Sequence, residues 1–320
     1  MNTKKSIFKL VLAIAFIGLT IAGCKKEEAQ IPTPTPVTQP TPDGSTSQQT
    51  QKAKDQNSFD SESNRAMDDA INAMQDCSQT RDVQAVCNMT VDTSMASVGK
   101  ITLTYTGNDC LNLTSRTGSI VIQLPYNGIV TTWTTVGARA IITFNNYKVT
   151  RLSDNKSLTF NGFHSIKNVN GGGIVQLLMG NTIVHQVRAN MVITFDDGTT
   201  RTWMVAKTRT FTHALGLITN TIAGDTTFGS YSHAAVWGTN RLGQPFTVDI
   251  PTSISYYMAG SVCLYRPMPG VVVSYTTAFT LTTTYGVDLF GNVMTSGCPF
   301  GYKFNWVDIN NVPQQVVLPY

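Results

Sequence analysis

The chain has 320 residues, 42% hydrophobic, 13% charged and 9% aromatic, room for one large domain or two modest ones, and about 260 folded residues can bury a core without metals or dense disulfides. The formal net charge of +4 includes Lys4, Lys5 and Lys9, which precede every acidic residue; setting them aside leaves 20 basic against 19 acidic side chains, a net of +1. That balance excludes nucleic acid as a partner on electrostatic grounds, and scarce charge beside plentiful Thr, Asn, Gly and Ser suits antiparallel sheets with polar, uncharged outer faces.

Behind the three lysines an apolar run extends from Leu10 to Ala22. It is long enough for the apolar region of a signal peptide and shorter than the roughly 20 residues that span a bilayer. The run ends in Ile21-Ala22-Gly23-Cys24, which resembles the lipobox of bacterial lipoproteins. The resemblance implies removal of residues 1–23, a diacylglyceryl group on the Cys24 thiol and a further acyl chain on the new α-amino group. Two or more chains anchor stably, at about 0.8 kcal/mol per buried CH₂, so membrane lipid is the expected partner of Cys24. Lys26-Glu27-Glu28 is similar to the short export signal of Bacteroidota surface lipoproteins, and Lys25 is not the aspartate of inner-membrane retention. Together they imply the outer membrane with the cell surface as the favoured face, rather than the periplasmic one.

Residues 24–58 hold almost no core-forming side chains, and Pro32, Pro34, Pro36, Pro40 and Pro42 alternate mostly with Thr. Such a stretch reads as a disordered linker, reaching on the order of 30 Å if flexible and roughly 100 Å if wholly polyproline-like. A β-rich domain is expected over 59–320. It opens on a helix capped by Ser61 or Ser63 and running to about Cys77, where Met67, Ala70, Ile71, Met74 and Cys77 form an apolar stripe that reads as a packing face against the sheet or its edge.

Beyond Cys87 the period changes to two. Strands are predicted over 101–105, 119–124, 140–149, 157–169 and 182–195, and again over 244–257, 271–275, 279–285, 302–307 and 315–318. Asp197-Gly198 marks a tight hairpin, with similar turn chemistry at Asn127-Gly128 and Asn161-Gly162. The less regular segment 214–231 is a possible division between two halves. Strands follow strands without helical interludes, so the fold class is all-β, an antiparallel meander or sandwich with one short N-terminal amphipathic helix.

Several short motifs recur in one family: Arg116-Thr117-Gly118-Ser119-Ile120-Val121, Ile142-Thr143-Phe144-Asn145-Asn146-Tyr147, Ile193-Thr194-Phe195 and Thr200-Arg201-Thr202-Trp203, with Cys87, Cys110, Cys263 and Cys298 between and after them. On these the chain resembles uncharacterised outer-membrane lipoproteins of the Bacteroidota, over most of the β domain. The resemblance implies the same address and says nothing of mechanism. It also implies disulfides Cys87–Cys110 and Cys263–Cys298, leaving Cys77 odd; a Cys77–Cys87 pair with Cys110 free is the alternative. An exported chain meets a disulfide-permissive compartment.

Motifs for catalysis are missing. The histidines, His164, His185, His213 and His233, never fall two or four apart, there is no nucleophile elbow or phosphate loop, and no Glu follows Glu62. Scattered cysteines without a Cys-x-x-Cys pair give no metal site, and no cofactor is expected. Gly171-Gly172-Gly173 reads as a turn. One strand is more pointed: Arg201, Trp203, Val205, Lys207, Arg209 and Phe211 share a face by alternation. Arg201, Trp203 and Arg209 are therefore candidate ligand-binding residues, able to stack on a sugar or pair with an anion. The plainer reading makes the rings core, with the cations snorkelling at the sheet ends. Trp133 and Trp237 read as buried anchors before ligand platforms. The function expected is a non-enzymatic binding or accessory module of the envelope, with a glycan or a protein as partner. The alternatives are an extracellular hydrolase, which needs Asp and His side chains converging in one cleft, and a purely structural envelope protein.

Overall fold

Side-chain alternation organises most of the chain in space. In the computed structural model, which describes residues 44–76, 88–109, 112–240, 243–263, 266–276, 280–308 and 310–320, with helix side chains from 58 to 74, Ile183, His185, Val187, Ala189, Met191, Ile193 and Phe195 are all buried while the residues between them are not. Cys24, the proline-rich stretch, Cys77, Cys87 and Cys110 lie outside the described residues.

Among the described residues, sixteen strands form one antiparallel sheet. The first seven follow one another edge to edge: β1 (Met89–Asp92), β2 (Lys100–Asn108), β3 (Thr114–Gln123), β4 (Arg139–Arg151), β5 (Ser157–Asn168), β6 (Ile183–Phe195) and β7 (Thr200–Ala214). The sheet then forks. Residues 202–205 of β7 pair with β10 (Tyr231–Thr239), whereas 207–214 pair with β8 (Leu217–Gly224). β8 continues to β12 (Ile254–Ala259), and β9 (Thr226–Phe228) pairs with β10. From β10 the main path runs through β11 (Pro245–Thr252), β13 (Gly270–Thr276), β14 (Thr280–Val287), β15 (Gly301–Val307) and β16 (Pro313–Pro319). The all-β antiparallel meander expected from the period is thus present. The segment 214–231 is the fork rather than a boundary, and Asp43–Tyr320 forms one unit.

The helix is longer than its apolar stripe. α1 spans Gly44–Asp76, so it begins well before Ser61, and Ser63 is a buried mid-helix residue rather than a cap. Residues 44–76 contain no proline and several Gln, Lys and Ala, which favour helix even where they have nothing to bury; the stretch expected as linker therefore ends inside α1. Met67, Ala70, Ile71 and Met74 are buried as predicted, joined by Phe59, Ala66 and Ala73.

Charge pairing shows that the sheet curves around this helix. The neighbouring residues Asp68 and Asp69 pair in different directions, Asp68 with Arg209 on β7 and Asp69 with Arg116 on β3. Four strand spacings separate β3 from β7, about 19 Å if flat, and only a trough brings both arginines to adjacent helix positions. One line of bulges bends it. Asn161-Gly162 is not a hairpin turn but the middle of β5, where Asn161 Oδ1 accepts the backbone N–H of Asn146 at 2.9 Å and the β4–β5 register shifts. Gly162 has φ +123°, and a Cβ there would run into the Asn190 carbonyl, so only glycine fits. The Asp197-Gly198 hairpin is formed as predicted, with Gly198 at φ +80° and Asp197 Oδ1 accepting from the Thr199 N–H.

Cys263 and Cys298 form a disulfide, with Cα atoms 5.2 Å apart and the two residues 35 positions apart in sequence. Closing such a loop contributes about 3–4 kcal/mol in the chain-entropy model. It ties the loop after β12 to the loop before β15.

Candidate functional site

The trough's inner face combines rings with cations, and the strand that suggested a binding surface lies on its floor. Trp203 is fully buried and stacked by Phe59 of α1. Arg201, 3% exposed, has its guanidinium carbon over two aromatic rings, 4.4 Å from the Trp203 centroid and 4.1 Å from that of Phe246. Arg209, 1% exposed, donates to Asp68 at 2.6 Å, and Lys207 donates to Asp60 at 2.7 Å. The alternation was right and the rings are core, but the cations do not snorkel. Lys207 and Arg209 pair with acids on α1, Arg201 lies against rings, and a glycan has no access to Arg201, Trp203 or Arg209. Trp133 is buried as well, whereas Trp237 is half-buried on the outer face, stacked on Phe228 with centroids 5.0 Å apart.

Where α1 passes β6 and β7, a cavity of about 330 Å³ opens. Its floor is the cross-strand pair Ile183 and Phe211, with His185 beside them. Asp68, Ile71 and Asn72 of α1 form one wall, and Ile218, Met258 and Ala259 of β8 and β12 another. The third wall is Gly172 and Gly173 with Ile174 and Leu177 of a short helix, α2 (Ile174–Leu178). The triple glycine is therefore more than a turn. Gly172 sits at φ +83°, where a Cβ would press on Ile183 Cδ1 at 2.8 Å, and the Gln176 side chain accepts the Gly173 N–H at 2.9 Å to start α2. Asn168 pins the loop by donating to the carbonyls of Trp133 and Gly172 at 3.0 and 2.9 Å.

His185 is the polar group of this apolar wall. It lies opposite Arg209 on β7 and Asn168 on β5, 3% exposed, with neither ring nitrogen hydrogen-bonded. An unsatisfied buried polar group costs about 1–3 kcal/mol. Burial first, and then the Arg209 charge, hold the imidazole neutral, with its pKa pushed down to about 3. Trp133 and Phe211 meet its ring edge-on at 5.1 and 5.0 Å.

Asp68 and His185 line one cavity, which is the convergence that hydrolysis would need. Asp68, however, is bonded to Arg209, and no hydroxyl or thiol side chain lines the walls among the described residues. Among the described residues no three His, Cys, Asp or Glu side chains come together as a metal site. No protein-family model, curated protein or solved structure matches the chain.

Proposed function

We propose that this is a lipoprotein held in the outer membrane through acylated Cys24, facing the cell surface, and acting as a non-enzymatic binding module. Its ligand seats an apolar part in the cavity between α1, α2 and β6–β8. The observation that carries the binding role is the cavity itself: about 330 Å³, within the roughly 300–1,000 Å³ of small-molecule sites, with mostly apolar walls and one unpartnered buried imidazole. The address rests on the lipobox-like Ile21-Ala22-Gly23-Cys24, on Lys26-Glu27-Glu28 and on the resemblance to Bacteroidota lipoproteins. The Cys263–Cys298 disulfide agrees with export.

The full chain in phospholipid nanodiscs, measured against empty nanodiscs, should bind the uncharged fluorophore N-phenyl-1-naphthylamine saturably. Leu177→Trp, which fills the cavity from α2, should weaken that binding by about tenfold or more; equal binding by the variant would remove the cavity as the site. Cells fed an alkynyl palmitate should label the wild-type protein and not Cys24→Ala. Label persisting in the variant would refute the anchor.

A further inference from the structure

We infer that one end of the sheet is a membrane-docking face, whose loop tips enter the surface of a bilayer with anionic head groups. In an antiparallel meander every second connection falls at the same end. The register places the connections 93–99, 124–138, 169–182, 215–216, 260–269 and 288–300 together at one end. Ile129, Val136, Met179, Leu215, Val262 and Phe290, on five of those connections, are between 71% and 100% exposed. Every other large hydrophobic side chain among the described residues is at most 56% exposed. Single protruding apolar side chains need no explanation, but six at one end do.

Charge points to a lipid surface as the occupant. Those connections hold one cation, Arg266, and one acid, Asp288. The Asp288 carboxylate is turned back onto the N–H groups of Phe290 and Asn292, at 2.9 and 2.8 Å. Behind the tips, near the strand ends, come Lys100, Arg139, Lys167 and Lys303, while Asp92 there accepts from the Ser94 N–H. Arg139 and Lys167 lie directly opposite one another, a repulsive pair that phosphate groups would relieve. The far end leans acidic: its connections carry Asp109, Asp154, Asp196, Asp197 and Asp308 against Lys156 and Arg241. Apolar tips with cations behind them match the order of hydrocarbon and phosphate in a bilayer. Tips spread over five connections suit a fluid that closes round each one, whereas a protein partner needs a matching relief. On the reading that Cys24 is acylated, the stretch from there to Gly44 reaches about 65 Å at full extension, which keeps the bilayer close.

Methionine methyl NMR of the full chain in nanodiscs of phosphatidylcholine and phosphatidylglycerol tests the face on the wild-type protein. A nitroxide near the head-group end of the phosphatidylcholine chain should broaden the Met179 signal about threefold more than that of Met204, which is 40% exposed on the outer face of β7. Leu215→Asp combined with Phe290→Asp, both on exposed tips, should bring Met179 down to the Met204 level. Met179 broadened no more than Met204 overturns the docking face, and with two chains per disc that result would make a second copy the occupant. The paired variant leaving Met179 as broadened as in the wild type overturns it too. Acylation is judged separately, by the palmitate label on Cys24, so failure of the anchor and failure of the face are told apart.

Discussion

Replacing Arg116 with methionine should destabilise the protein by about 3–5 kcal/mol, read as a lower urea midpoint at pH 7. Arg116, with its side chain 8% exposed, reaches Glu62 at 3.4 Å and Asp69 at 3.6 Å. Removing the guanidinium leaves two largely buried carboxyls without their cation, which is far worse than never having buried a charge. Two further results would identify this cause rather than a packing defect. Glu62→Gln with Asp69→Asn on the Arg116→Met background should recover more than half of the loss, because the amides keep the shapes without the charges. The loss should also shrink between pH 7 and 5: burial already pushes Asp69 up to about 6 against the pull of Arg116, and without Arg116 it takes a proton more readily. A single variant within about 1 kcal/mol of wild type would mean that α1 is not held in the trough by these pairs.

How far the sequence foretold this arrangement depends on how local each signal is. Alternation over β7 needs only neighbours, and there Arg201, Trp203, Val205, Lys207, Arg209 and Phe211 share a buried face as read. In β10, Ala234, Ala235 and Val236 are buried in succession across a bulge, so the period of two is lost and the strand was missed. The start of α1 was missed for another reason: Gln- and Lys-rich sequence looks like linker when judged by core content and like helix when judged by backbone preference. The buried cations were half legible. Parity put Lys207 and Arg209 beside Trp203, but their acids lie 147 and 141 residues away in the chain, and nothing local says that Asp60 and Asp68 lie against the sheet rather than in water. The cavity had still less to announce it. Its walls come from α1, the 172–177 segment, β6, β7, β8 and β12, and the triple glycine was its sole local mark.

Acid should unfold this domain earlier than its few salt bridges suggest, because two histidines are buried uncharged. His164 and His185 are 1% and 3% exposed, and burial, backed by the Arg209 charge at both and by Lys207 at His164, pushes both down to about 3 from an ordinary 6.5. Below pH 6.5 the unfolded chain gains two protons that the folded one refuses, so stability falls as pH drops from 6.5 towards 3. At pH 5 each histidine removes about 2 kcal/mol. Asp69 works in the opposite sense. Its folded value of about 6 lies above the ordinary 3.8, so between those values the folded state takes up the extra proton, and stability rises by about 1–1.5 kcal/mol at pH 5. The balance is a net loss of about 2–3 kcal/mol between pH 7 and 5, growing further by pH 4. Thermal or urea unfolding across that range should show it, and His164→Phe should remove nearly half of the histidine contribution by deleting one titrating ring. A stability profile flat from pH 7 to 4 would mean that both imidazoles reach water or an acidic partner.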